Sequence, residues 1–130
     1  MPMSRMRKFL LTTDALWELV RYDALLAIGG FARVRRSLGC PARPVSASDI
    51  ECRRIADAMG WAIAFYWKPV LCLQNAMVTA RLLRRRGIQA EVVIGCRPEP
   101  FFSHAWVEVG GRVVNDSPVY RQELPALARL

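Results

Sequence analysis

The run Trp67-Lys68-Pro69-Val70-Leu71-Cys72-Leu73-Gln74-Asn75 decides how this chain is read. An amphipathic helical pattern starts inside it. Leu73, Met77, Ala80 and Leu83 recur at three- and four-residue spacing as far as Gly87. Pro69 suits the first turn of such a helix, because its missing N–H would have no intrahelical partner there. The spacing therefore predicts a helix over about residues 70–86, ended by Gly87, with Cys72 in its first turn. Free N–H groups and the positive end of the helix dipole suit a thiolate at such a position, and a thiolate is the nucleophile of cysteine hydrolases.

Downstream lies the only histidine, His104, in Ser103-His104-Ala105-Trp106-Val107-Glu108-Val109. Asp116 follows in Val113-Val114-Asn115-Asp116-Ser117-Pro118, and Gly110-Gly111 separates the two segments, which read as a hairpin. A two-residue Gly110-Gly111 turn would pair Val109 with Arg112 and Trp106 with Asn115, and would put His104 and Asp116 on opposite faces. A three-residue loop, Val109-Gly110-Gly111, pairs Glu108 with Arg112, Val107 with Val113 and Trp106 with Val114. These are better cross-strand neighbours, with Gly111 at the left-handed bulge position. The three-residue register is the expected one, and it sets His104 directly opposite Asp116.

Around these segments the chain reads as one domain of 130 residues, 53% hydrophobic and 23% charged, with composition that excludes a disordered chain. The net charge of +8 favours acidic partners. The runs Arg33-Arg35-Arg36 and Arg84-Arg85-Arg86 are expected to be solvated helix ends. No aromatic residues alternate with them, as a nucleic-acid surface would need. Cys40, Cys52, Cys72 and Cys96 form no CxxC pair and one histidine gives little to a zinc site, so no metal is expected. Asp14, Glu18, Arg21 and Asp23 interrupt the N-terminal apolar region, which excludes a signal peptide or a membrane-spanning helix. Reduced cysteines in the cytoplasm are the default.

In order, residues 1–8 are expected to fray, and a helix runs over about residues 9–34, bent at Gly29-Gly30. Its wide apolar arc is expected to be buried within the domain, the alternative being that it docks a partner. Residues 37–47 form a linker, and Ser48-Asp49-Ile50-Glu51 is a capping box opening a second helix that runs to about Tyr66. Trp61, Phe65, Tyr66 and Trp67 read as core, with Trp67 close enough to Cys72 to wall a pocket. After the helix bearing Cys72 come a strand at Ala90-Glu91-Val92-Val93-Ile94-Gly95, a loop over residues 97–103, the hairpin, and a tail from Tyr120 that is a short helix or a loose end. The order is α+β, with the nucleophile helix packed on a small antiparallel sheet.

Cysteine at a helix start, histidine on a strand and an acid opposite it fit one chemistry. His104 would deprotonate Cys72 and later protonate the leaving amine. Asp116 would hold the imidazole, and the Cys72 N–H would help to stabilise an oxyanion. Cys52, Cys40 and Cys96 have no such setting and read as structural.

Together Cys72-Leu73, Leu82-Leu83-Arg84-Arg85-Arg86-Gly87-Ile88, Val93-Ile94-Gly95, His104-Ala105-Trp106-Val107-Glu108-Val109-Gly110-Gly111 and Val114-Asn115-Asp116 resemble the transglutaminase-like B proteins of lasso-peptide biosynthesis, in particular their stand-alone leader-peptidase half. The resemblance is close over residues 66–118. It implies a papain- and transglutaminase-like core over about residues 68–120, with a helical part over about 1–67, in a single domain over 1–130. It also implies cleavage of the leader from a ribosomally made precursor peptide through a thioester, with Cys72 as nucleophile, His104 as base, Asp116 as orienting acid and no cofactor. Implied partners are the precursor, a separate small leader-binding protein and an ATP-dependent cyclase. No leader-binding domain is evident here, which suits the split arrangement. Asn75 stands about where relatives often carry a basic residue. Two other readings remain open on the same fold: acyl transfer to an amine, and a catalytically silent peptide- or protein-binding adaptor.

Overall fold

The computed structural model describes residues 4–38 and 49–130. The elements are α1 (Arg5–Ser37), α2 (Asp49–Phe65), α3 (Cys72–Arg85), β1 (Ala90–Pro98), β2 (Phe101–Val109), β3 (Arg112–Val113), α4 (Val119–Glu123) and β4 (Ala126–Arg129). The chain is α+β, with helices on a four-stranded sheet of order β3-β2-β1-β4 whose pairings are all antiparallel. The linker containing Cys40 and the capping serine expected at Ser48 lie outside the described residues.

α1 begins earlier than expected. Ser4 caps it by accepting from the Arg7 N–H at 3.2 Å, so residues expected to fray form its first turns. The expected bend falls at Gly30, whose φ of 70° is cheap only without a Cβ. α1 is bound to α3 by charge. The buried Glu18 accepts from Arg81 Nε at 2.8 Å and from Arg85 Nη1 at 3.0 Å, and Arg85 also reaches Asp14 at 3.0 Å. Arg84 donates to the carbonyls of Ala90 and Leu130, each at 2.8 Å. The Arg84-Arg85-Arg86 run is therefore not the solvated helix end expected. It ties α3 to α1 and to the strands, and it compensates a buried carboxylate that would otherwise be costly.

The sheet is covered on both faces. Ala90, Val92, Ala105, Val107 and Val109 join the helices in the main core. Val93 and Trp106 face the other way, under Leu124 and Tyr120 from the C-terminal segment. Alternation of side chains along β1 and β2 produces these two faces. Gly95 is required here, because a Cβ would stand 2.5 Å from the Trp106 ring and 2.8 Å from Leu124 Cβ.

Several boundaries differ from expectation. β1 and β2 pair from Ala90↔Val109 to Pro98↔Phe101, so the expected loop over residues 97–103 contracts to a turn at Glu99-Pro100. Proline is tolerated at that strand end because its ring need not donate to a ladder. The tail forms both α4 and an edge strand, β4, paired with β1.

The expected hairpin register is wrong. Val109 pairs with Arg112 and Glu108 with Val113, so the loop is the two-residue Gly110-Gly111 turn. Both glycines have positive φ, 58° and 79°, a conformation whose twist matches the flanking strands. That geometric match outweighed the cross-strand pairs of the three-residue loop.

Two expectations of burial hold only in part: α1 buries Ala15, Leu19 and Tyr22 but not its whole apolar arc. α1 spans 33 residues against 17 and 14 for the helices it packs on, and one face stays open, with Met6, Phe9, Leu10 and Trp17 exposed. At the end of α2, Trp61, Phe65 and Trp67 are exposed as well, while Tyr66 is half-buried. No described helix is long and apolar enough to cross a membrane.

Candidate active site

Cys72 is the first residue of α3. Pro69 lies outside the helix, contrary to expectation, and Leu71 is the N-cap, extended at φ −81° and ψ 166° with no side-chain cap. The first backbone bond, Asn75 N–H to Leu71 carbonyl, is 3.0 Å, which leaves the amides of Cys72, Leu73 and Gln74 without intrahelical partners. The Cys72 side chain is half-buried at the edge of the main core. Tyr22 lies close to it. Burial pushes that phenol upward, with Asp23 and Cys72 adding to the effect.

A short turn reverses the chain between α3 and β1, and Arg84 at the helix end bonds Ala90 at the strand start. From Arg84 back to Cys72 is about 18 Å of helical rise. From Ala90 on to Gly95 is about 17 Å of strand. Gly95 lies about as far along β1 as Cys72 lies back along α3, and its partner across the ladder is His104.

His104 Nε2 and Asp116 Oδ2 are 2.7 Å apart. The pair forms although the register would set the two residues on opposite faces. Val114 N–H still bonds the Val107 carbonyl at 3.0 Å, but the Val107 N–H is then taken by Asn115 Oδ1 at 2.8 Å. A side chain replaces the backbone there and the ladder stops. The bend that follows carries Asp116 to the imidazole. Its other oxygen accepts from the Ser117 N–H at 2.8 Å, which fixes the carboxylate.

His104 is also held by rings. The Tyr120 ring centre lies 4.0 Å from that of the imidazole, with Trp106 and Phe102 at 6.4 and 6.3 Å. Tyr120, placed by α4, escaped the sequence reading because nothing in its neighbours announces a contact with His104.

A second unforeseen cluster fixes the approach to Cys72. Tyr66 Oη donates to Asp23 Oδ2, and Lys68 Nζ donates to Asp23 Oδ1 at 2.7 Å. Tyr66 is pushed up to about 12, first by burial and then by its hydrogen bond and proximity to Asp23. Burial alone would raise Asp23, but the bonds from Lys68 and Tyr66 outweigh it and hold that carboxyl below its usual range. The residues between α2 and α3 are thereby tied to α1.

The structure therefore joins His104 to Asp116 directly. Cys72 stands apart from them at an uncapped helix start, packed on the main core, whereas His104 lies among Trp106 and Tyr120, and no hydrogen bond links the thiol to His104. Asn75 Oδ1 accepts from Thr79 Oγ1 at 3.2 Å.

Residues 16–129 match the transglutaminase-like superfamily. A stretch of 59 residues is 48% identical to the microcin J25-processing protein McjB of Escherichia coli. That stretch is 45% of this chain and 28% of the relative, so the likeness spans little more than a quarter of McjB. No solved structure matches. The resemblance read from the residues around Cys72 and His104 is borne out, and the chain belongs to the transglutaminase-like superfamily.

Proposed function

We propose that this chain is a cysteine peptidase that removes the leader from a ribosomally made lasso-peptide precursor. The observation that carries the reading is the 2.7 Å contact of His104 Nε2 with Asp116 Oδ2. It fixes the imidazole and leaves Nδ1 free to take a proton. Supporting it are Cys72 at an uncapped helix start and the partial identity with a microcin-processing protein.

In this reading the Cys72 thiol gives its proton to His104 Nδ1, and the sulfur attacks the scissile carbonyl carbon. The oxyanion meets the free amides at the start of α3. His104 returns the proton to the leaving amine as the peptide bond breaks, which leaves a thioester on Cys72. Water, deprotonated by His104, then releases the leader carboxylate and restores the thiol. The substrate draws the thiol and imidazole into contact, as catalytic hydrogen bonds commonly tighten only in the complex. No metal or nucleotide takes part. The free cysteines, Cys52, Cys72 and Cys96, suit the reducing cytoplasm. The partners are the precursor, a small leader-binding protein and the ATP-dependent cyclase that uses the freed amine.

The test is mass-spectrometric cleavage of the precursor with and without the leader-binding protein, using the wild-type chain and Cys72→Ala. One cut that requires Cys72 and speeds up with the partner supports the reading. No cut in any arm makes the chain an adaptor on a peptidase fold, and transfer of an added amine onto the product makes it an acyltransferase.

A further inference from the structure

The long first helix carries an open apolar seam. Met6, Leu10, Trp17, Val20, Ala24 and Ala27, with Thr13 between, follow one another in alternating steps of four and three, and all are exposed. This is the spacing of a coiled-coil seam. It ends just before the kink at Gly30. The seam is large at one end and small at the other, and alanines there would let a second helix approach closely. The residues on the inward side, Ala15, Leu19 and Tyr22, are buried in the domain, so the seam is not a leftover of core packing.

Charge is sorted about this seam. The helix's acids are all used within the domain: Asp14 by Arg85, Glu18 by Arg81 and Arg85, and Asp23 by Lys68 and Tyr66. Apart from Arg21, which pairs with Glu18 at 3.6 Å, its cations are not. Arg5, Arg7 and Lys8 at the start, and Arg33, Arg35 and Arg36 beyond the kink, have no acidic partner among the described residues. Both ends of the seam are therefore positive. A second copy of the chain would set cation against cation whether the two helices ran parallel or antiparallel. A lipid surface would favour cations along both edges of an apolar face. Here the middle of the seam is flanked by Asp14 and Asp23.

We infer that this face of α1 docks an amphipathic helix of a partner protein with an apolar seam and acidic residues at both of its ends. Docking does not depend on the chemistry of Cys72. The exposed seam spans about 32 Å of helix, enough for a partner helix of about six turns.

The test uses the full chain and a labelled synthetic helix with leucine at its seam positions and glutamate at both ends, followed by fluorescence anisotropy. An otherwise identical helix with lysine ends is the comparison. The expected result is binding at least about tenfold tighter for the acidic helix, weakening as salt rises. Leu10→Ser with Trp17→Ser should weaken it by about tenfold or more, with helix content by circular dichroism unchanged. Arg7→Glu with Lys8→Glu, which removes no apolar area, should also weaken it. Equal affinity for the two helices, or no effect of either pair of substitutions, would overturn the inference. So would a chain that sediments as its own dimer through this seam, or binding of phosphatidylglycerol vesicles that both substitutions abolish while the acidic helix fails to bind. Because no cleavage is read, an inactive Cys72 would leave this result unaffected.

Discussion

His104 Nε2 lies 2.7 Å from Asp116 Oδ2, although backbone pairing in the hairpin does not set the two residues opposite each other. Asn115 makes the contact possible by taking the Val107 N–H and ending the ladder one residue before the acid. Asp116→Asn should lower kcat by about a hundredfold or more with KM little changed, since the amide can no longer stabilise the imidazolium. Steady-state cleavage kinetics check this.

Tyr120 covers the imidazole at 4.0 Å. Its ring, not its hydroxyl, makes that contact, so Tyr120→Phe should retain activity. Tyr120→Ala should lower kcat by about tenfold through a looser His104. Equal loss in both variants, measured by the same assay, would assign the effect to the hydroxyl.

Glu108 is buried at 3% exposure and accepts from Trp106 Nε1 at 2.8 Å, Arg129 at 3.2 Å and Arg121 at 3.3 Å. Burial alone would raise its pKa, but those bonds outweigh it and hold the group below 4.5. A depressed folded value means that its contribution is complete above the unfolded value and is lost as pH falls through the folded one. Glu108→Gln should cost about 1.5–3 kcal/mol at neutral pH. The gap to wild type should close as pH drops below 4.5. Urea unfolding at a series of pH values measures it.

Asp23 holds Tyr66 and Lys68, and with them the residues that lead into Cys72. Asp23→Asn should return Tyr66 toward its ordinary value of 10 from about 12, seen as phenolate absorbance at lower pH. The raised value also means that this contribution is intact below pH 10 and is lost as pH rises toward 12. Cleavage by Asp23→Asn should slow severalfold as the start of α3 loosens.

The parts of the site carried by residue type and period were legible. Cys72 falls at a helix start because apolar spacing begins there, and His104 with Asp116 flanks an obvious turn. What was hidden depends on tertiary geometry. The choice between two- and three-residue turns rested on strand twist at Gly110-Gly111, which pairing preferences do not report. Leu127 and its neighbours became an edge strand only because β1 had an open side. Trp61 and Trp67 have core-like chemistry, and nothing local says that they stay exposed. The Arg84-Arg85-Arg86 run looked like a solvated helix end because Glu18 and Asp14, its partners, lie more than sixty residues away.

The central claim is a thioester on Cys72. Intact-mass spectrometry of the chain, quenched in acid during turnover of its precursor, tests it most directly. The expected result is a species heavier by the leader acyl fragment, mapped to the peptide containing Cys72 and absent in Cys72→Ala. Cleavage that persists in Cys72→Ala, or an adduct on Cys52 or Cys96 instead, would contradict it.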